Sequence, residues 1–150
     1  MSFVFIYIYK SERETIKTFD LPNNYETIFF EEYDSEYSTF LDTFGYSDDG
    51  FIVSRGWAMK VGDSNLESYA NLTFLLKNEQ NIYFKVKTVV ENRPDVTEVF
   101  SDGTNYNNSG FLARGSVKKL SEGDYQACLL YIEKDGTSHL FLYDQYINVR

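Results

Sequence analysis

The sequence predicts an all-β fold, a sandwich or barrel of short antiparallel strands. Two observations predict it. Aromatic residues make up 18% of the chain, nearly all Tyr and Phe, side chains that suit half-buried sheet surfaces more than helices. Short apolar runs alternate with turn signals: SDDG at 47–50, KNEQN at 77–81 and EKDGT at 133–137. At 150 residues the chain is most economically one domain, with a core large enough to fold without disulfides or metals.

The chain opens with the apolar run FVFIYIY at 3–9. A membrane span needs about 20 such residues, and a secretory signal needs a basic region before its apolar stretch. The run therefore reads as an edge strand, or as the last turns of a transmembrane helix with Lys10 and Arg13 at the interface. Residues 18–54 carry no Lys or Arg but many carboxylates, from Asp20 and Glu26 to Asp48 and Asp49, interleaved with Phe and Tyr. Such a charge run is a solvated face. Phe30, Tyr33, Tyr37 and Phe40 recur at steps of three and four, which predicts a short helix starting at Asn24 and ending near Tyr37. An irregular extended segment packed by its aromatics is the alternative. Residues 1–39 thus read as an acidic-aromatic N-terminal segment, a membrane-proximal linker, and 40–150 as the sandwich.

From residue 39 the chain reads as strands and turns. TFLDTFGY and FIVSRGWAM flank SDDG and form a hairpin. LTFLL and IYFKVKTVV flank KNEQN and form another; Ile82, Phe84 and Val86 share the core face of that strand. Pro94 lacks an amide hydrogen and suits a first helical turn, where Asp95 and Glu98 meet the positive end of the helix dipole. PDVTEVF is thus a short helical crossover, with Val96, Val99 and Phe100 as its apolar face. SDGTNYNNSG is a loop and FLARGSV returns as a strand. DYQACLLYI and SHLFLY form the last hairpin around a two-residue Asp135-Gly136 turn, pairing Lys134 with Thr137 and Ile132 with His139. Both its faces are apolar, so it lies centrally or is covered on both sides. About seven strands result, with Trp57, Phe84, Val86, Phe111, Tyr125 and Leu129 in the core.

Four segments in this order, GWAM (56–59), RPDVTEVF (93–100), NYNNSGF (105–111) and LSEGDYQACLLYI (120–132), resemble immunoglobulin-like accessory domains of bacterial envelope proteins. Such domains are appended to membrane-bound glycosyltransferase-like and cell-wall-associated proteins. The resemblance covers residues 40–148. It implies an immunoglobulin-like antiparallel β-sandwich without catalytic residues, outside the cytoplasmic membrane, in a membrane-anchored protein of cell-envelope polysaccharide metabolism. The family's strand, turn and strand-start motifs fall on Trp57, on Arg93, Pro94 and Asp95, and on Ser109, Gly110 and Phe111. Arg55 beside the Gly56-Trp57 pair departs from the pattern and leaves strand parity there open. Arg93 and Asp95 read as a brace of the crossover, with carbohydrate contact as the functional alternative. Tyr125 stands where such sandwiches carry a tyrosine corner, with Ala127 at the position of the antibody Cys; a simple core aromatic is the alternative.

Little in the chain carries catalytic chemistry. One Cys, Cys128, forms no internal disulfide, and with one His, His139, it supplies too few ligands for the usual zinc sites. The hairpin register puts both on one face but not opposite each other, and both read as packed residues. The Asp-Gly pairs at 49–50, 102–103 and 135–136 lack the full ligand series of a calcium loop. No phosphate loop or dinucleotide fingerprint is present. No metal and no cofactor are expected. A net charge of −9 argues against nucleic acid and against anionic lipid surfaces.

The expected function is therefore non-catalytic: a monomeric extracytoplasmic domain that scaffolds, or recognises glycan or an envelope protein. A small carboxylate-based hydrolase or isomerase is one alternative, and a self-associating structural subunit another. Sugar sites on sandwiches use exposed rings beside polar groups. Tyr33, Tyr37, Tyr46, Tyr143 and Tyr146 are the candidates, the alternative being that they pack the N-terminal segment onto the sandwich.

Overall fold

The computed structural model describes residues 15–29, 36–47, 49–64 and 71–150. Ten strands and a short helix lie among them: β1 (Lys17–Phe19), β2 (Glu26–Phe29), β3 (Tyr37–Tyr46), β4 (Phe51–Lys60), β5 (Asn71–Lys77), β6 (Tyr83–Lys85), β7 (Lys87–Glu91), α1 (Pro94–Phe100), β8 (Gly110–Ser116), β9 (Gly123–Ile132) and β10 (Ser138–Val149). They form two sheets, β3-β4-β8-β7 and β1-β6-β5-β9-β10-β2. Taking β3 to β10 as strands A, B, C, C′, D, E, F and G, the first sheet is A-B-E-D. The middle of the second is G-F-C-C′. This is the immunoglobulin-like arrangement. The expected seven strands become eight because IYFKVKTVV divides at Val86, which is fully buried and donates its N–H to the Phe74 carbonyl as the chain switches sheets. Ile82, placed on the core face by alternation, is instead exposed, because it lies in the turn before β6, bonded to Asn78, and outside the strand.

The remaining two strands cap the edges of the larger sheet. β1 pairs antiparallel with β6, and β2 pairs parallel with β10. The chain between them crosses the outer face, about 24 Å at the usual strand spacing. There Phe19 and Leu21 pack on a buried outer cluster of Leu75, Cys128, Leu130, Leu140 and Leu142. The last hairpin is central and covered on both faces, as its sequence requires. The helix expected from Asn24 to Tyr37 is corrected: Glu26–Phe29 is a strand, and Tyr37 opens β3. Pairing to β10 overrides the step-three-and-four pattern, as tertiary context does for a short segment of weak propensity. Phe30 and Tyr33 lie outside the described residues, as does the run at 3–9.

Between the sheets pack Ile52, Phe74, Leu76, Phe111, Ala127, Leu129 and Phe141, with Phe74 and Phe111 stacked 6.0 Å apart. Each such large side chain contributes about 1.5–3 kcal/mol by leaving water. Val86, Phe111, Tyr125 and Leu129 are core as expected, and Phe84 packs against the core partly buried. Trp57 is corrected. Gly56 and Ala58 point inward and Trp57 outward, where it stacks on Phe40 and meets Phe100 edge-on. Parity is fixed by Gly56, since a Cβ there would lie 2.3 Å from the Phe40 carbonyl oxygen and 3.0 Å from the Phe111 ring.

The final turn is also corrected. Glu133 N–H bonds the Thr137 carbonyl, Gly136 N–H bonds the Glu133 carbonyl, and Gly136 adopts φ +91°. The loop is Lys134-Asp135-Gly136, so Ile132 pairs with Ser138 and Tyr131 with His139. A slip of one residue reverses every facing. His139 therefore joins Tyr131 and Phe141 on the inner side, and Cys128 lies on the outer side.

Candidate functional site

β10 carries the most pronounced irregularity in the larger sheet. Leu142 pairs with Cys128 and Tyr146 with Gln126, so Tyr143, Asp144 and Gln145 face Ala127 alone. Two extra residues bulge the strand yet preserve its facing. Gln126 holds the bulge by donating its side-chain N–H to the Tyr143 carbonyl at 2.8 Å. Beyond it Tyr146 stands 60% exposed on the outer face. The ring borders a shallow depression of about 300 Å³ lined by Lys77, Asn78, Glu79, Asn81, Asp124, Gln126 and Tyr146. Sheet pairing builds it: Lys77 is opposite Gln126, which is opposite Tyr146. Asn78 orders the adjoining turn by accepting the N–H groups of Gln80 and Ile82.

The predicted tyrosines part into two groups. Tyr143 is 1% exposed, its hydroxyl 2.6 Å from Thr39 Oγ1, and burial raises its phenol pKa. Tyr37 is 8% exposed and donates to Glu133 Oε2 at 2.9 Å; burial, then that bond, raises its pKa. These two rings cannot present a face to a ligand, which corrects the expected platform at those positions. The physical reason is alternation: both point between the sheets. Tyr46 and Tyr146 are both exposed: Tyr46 at the rim of the inner side, beside its register partner Ile52, and Tyr146 on the outer face. Tyr46 donates to the Asn148 carbonyl at 3.1 Å, and Asn148 Nδ2 donates to Asp124 Oδ1 at 2.9 Å beside the depression. Tyr33 lies outside the described residues.

A second group gathers on the inner side at the opposite end of β10. His139 is 2% exposed, with Nε2 2.7 Å from Glu133 Oε2 and the Tyr37 ring 4.4 Å away. Lys60 Nζ lies 3.5 Å from Glu133 Oε1. Burial would raise the Glu133 carboxyl pKa, but hydrogen bonds from His139 and Tyr37 and the charge of Lys60 outweigh it and hold it below the usual range. Cys128, on the other face of the sheet, is fully buried, and desolvation pushes its thiol up to about 12.

Arg93 braces the crossover. Its Nε and Nη2 donate to both Asp95 oxygens, at 2.9 and 2.8 Å, and Nη1 donates to Asp42 Oδ2 at 2.6 Å. Pro94 opens α1, of which Val96 is buried and Val99, expected to pack, is exposed. Gly110 makes room for the brace: a Cβ there would meet Arg93 Cγ at 2.3 Å. Ser109 is buried and accepts the Ala58 N–H on its carbonyl, next to Phe111 in the core. At the other corner Tyr125 donates to the Ser121 carbonyl at 2.8 Å, the geometry of a tyrosine corner, with Ala127 two residues on.

Sequence reasoning missed Lys77, Asn78, Glu79, Asn81, Asp124 and Gln126 around Tyr146, and Glu26, Lys60 and Glu133 around His139. The polar KNEQN turn was the one local signal for the first group. Among the described residues no helix is long and apolar enough to cross a membrane, and no three His, Cys, Asp or Glu side chains group as a metal site. Comparison with protein-family models, curated proteins and solved structures finds no match.

Proposed function

We propose that this chain is a non-catalytic recognition domain that binds glycan in the depression beside Tyr146, as the extracytoplasmic part of a cell-envelope protein. The observation that carries the reading is an exposed Tyr146 ring held beyond a braced bulge, ringed by amides, carboxylates and one lysine. Sugar C–H faces stack on such a ring, while hydroxyls exchange hydrogen bonds with Asn, Gln and Asp side chains. Hydrogen bonds from Tyr46 to Asn148 and from Asn148 to Asp124 tie the rim of the smaller sheet to the edge of the depression. A non-catalytic role is supported by the burial of His139 and Cys128, which keeps the two side chains best suited to base and nucleophile chemistry apart and away from solvent. The envelope setting rests on the order of the Trp57, Arg93–Asp95 and Ser109–Phe111 motifs.

The test is a microbial glycan array followed by titration of the wild-type chain, Tyr146→Ala and Tyr46→Ala. The wild type should bind a defined set of polysaccharides. Tyr146→Ala should weaken binding about tenfold or more, a loss of about 1.4 kcal/mol, while its melting temperature stays unchanged. A wild type that binds no glycan, or a Tyr146→Ala variant that binds as well, overturns the reading.

A further inference from the structure

We propose that His139 and Glu26 form a proton-operated latch that fastens β2 to the edge of the larger sheet. The two residues face each other as the first pair of the parallel β2–β10 ladder, which runs on through Leu142 and Phe29. His139 Nε2 faces Glu133, whose Oε2 also accepts the Tyr37 hydroxyl. Glu133 is ionised near neutral pH, since its carboxyl pKa lies below the usual range, and an ionised carboxylate only accepts. The Nε2 proton is therefore committed to Glu133. Nδ1 is buried without a hydrogen-bond partner among the described residues, and Glu26 Oε2 lies 3.7 Å away. With neutral imidazole, two acceptors confront each other. Adding a proton to Nδ1 turns that contact into a charge-assisted pair.

The charged and titratable groups around the ring come from every element packed on it. They are Glu26 from β2, Tyr37 and the preceding Glu36 from β3, Lys60 from β4, Tyr131 from β9 and Glu133 from the β9–β10 turn. Lys60 balances Glu133, so among the described residues the Glu26 carboxylate has no cation beside it until His139 is protonated. β2 is four residues long; among the described residues it is held by its ladder with β10, by Ile28, its one buried side chain, and by the Glu26–His139 contact. Release would uncover the β10 edge at His139–Leu142 for pairing with another strand. It would also open the neighbouring depression of about 600 Å³ lined by Asn23–Glu26 and Asp135–Ser138. The latch closes as pH falls and loosens as it rises.

The test is amide hydrogen exchange of Thr27–Phe29, corrected for intrinsic exchange, between about pH 5.5 and 7.5, the range in which histidine changes charge. His139 ring shifts are followed by NMR alongside, in wild type and Glu26→Gln. Wild-type β2 should be about tenfold better protected at the lower pH. Glu26→Gln, a substitution at an exposed side chain, should remove that difference. Equal protection across the range, an unchanged profile in Glu26→Gln, or a ring that stays neutral throughout would overturn the latch. The outcome is independent of glycan binding at Tyr146.

Discussion

Asp42 is the residue that the β3 bulge leaves without a partner on β4, and its carboxylate lies 2.6 Å from the Arg93 guanidinium. Leu41 pairs with Gly56 and Thr43 with Arg55, so the extra residue turns its side chain toward the crossover. Two segments distant in sequence, β3 and the start of α1, are thereby joined through one side chain.

Arg93→Ala should lower stability by about 1–2 kcal/mol, because it leaves two carboxylates unpaired at a partly solvated site. Thermal unfolding should show a drop of roughly 2–8 °C. Arg93→Lys should recover only part of it, since an ammonium cannot reproduce the fork on Asp95. A variant that melts like wild type would show that the brace is incidental.

Tyr125→Phe removes one hydroxyl and leaves the ring in the core. Losing its bond to the Ser121 carbonyl should cost about 0.5–1.5 kcal/mol in a denaturant titration. An unchanged midpoint would reduce Tyr125 to a packing aromatic.

A chain starting at Glu36 would lack β1 and β2 and so expose the edges of β6 and β10 and the outer cluster around Cys128 and Leu140. Open edges beside apolar surface pair with other copies. Size-exclusion chromatography should find the shortened chain aggregated, or its melting temperature clearly lower. A monomer of wild-type stability would mean that the N-terminal strands do not support the sandwich.

Acid stability should depend on Glu133. Its carboxyl pKa is depressed in the folded state, so its contribution is present above the unfolded value, about 4.3 for Glu. It is lost as pH falls through the lower folded value. Urea midpoints measured from about pH 5 down to 2 should fall less steeply for Glu133→Gln than for wild type. Parallel curves would exclude Glu133 from the acid limb.

By itself the sequence determined the hairpins, the helical crossover at Pro94 and the central place of the last two strands. Each of these is written in contiguous residues: a turn signal between apolar runs, a proline with carboxylates behind it, two apolar faces. Tertiary structure alone decided which side chains meet. Tyr143 and Tyr146 are three residues apart on one strand and so take opposite faces; the packing of the second sheet on the inner face buries the first, while the second stays exposed on the outer face. His139 changes sides because a single added residue in the Asp135-Gly136 loop reverses the facing of β10. Residues 26–29 become a strand because the β10 edge offers them hydrogen-bond partners that a short helix could not match. Register, bulges and edge pairing depend on groups supplied by distant segments, so no local pattern encodes them.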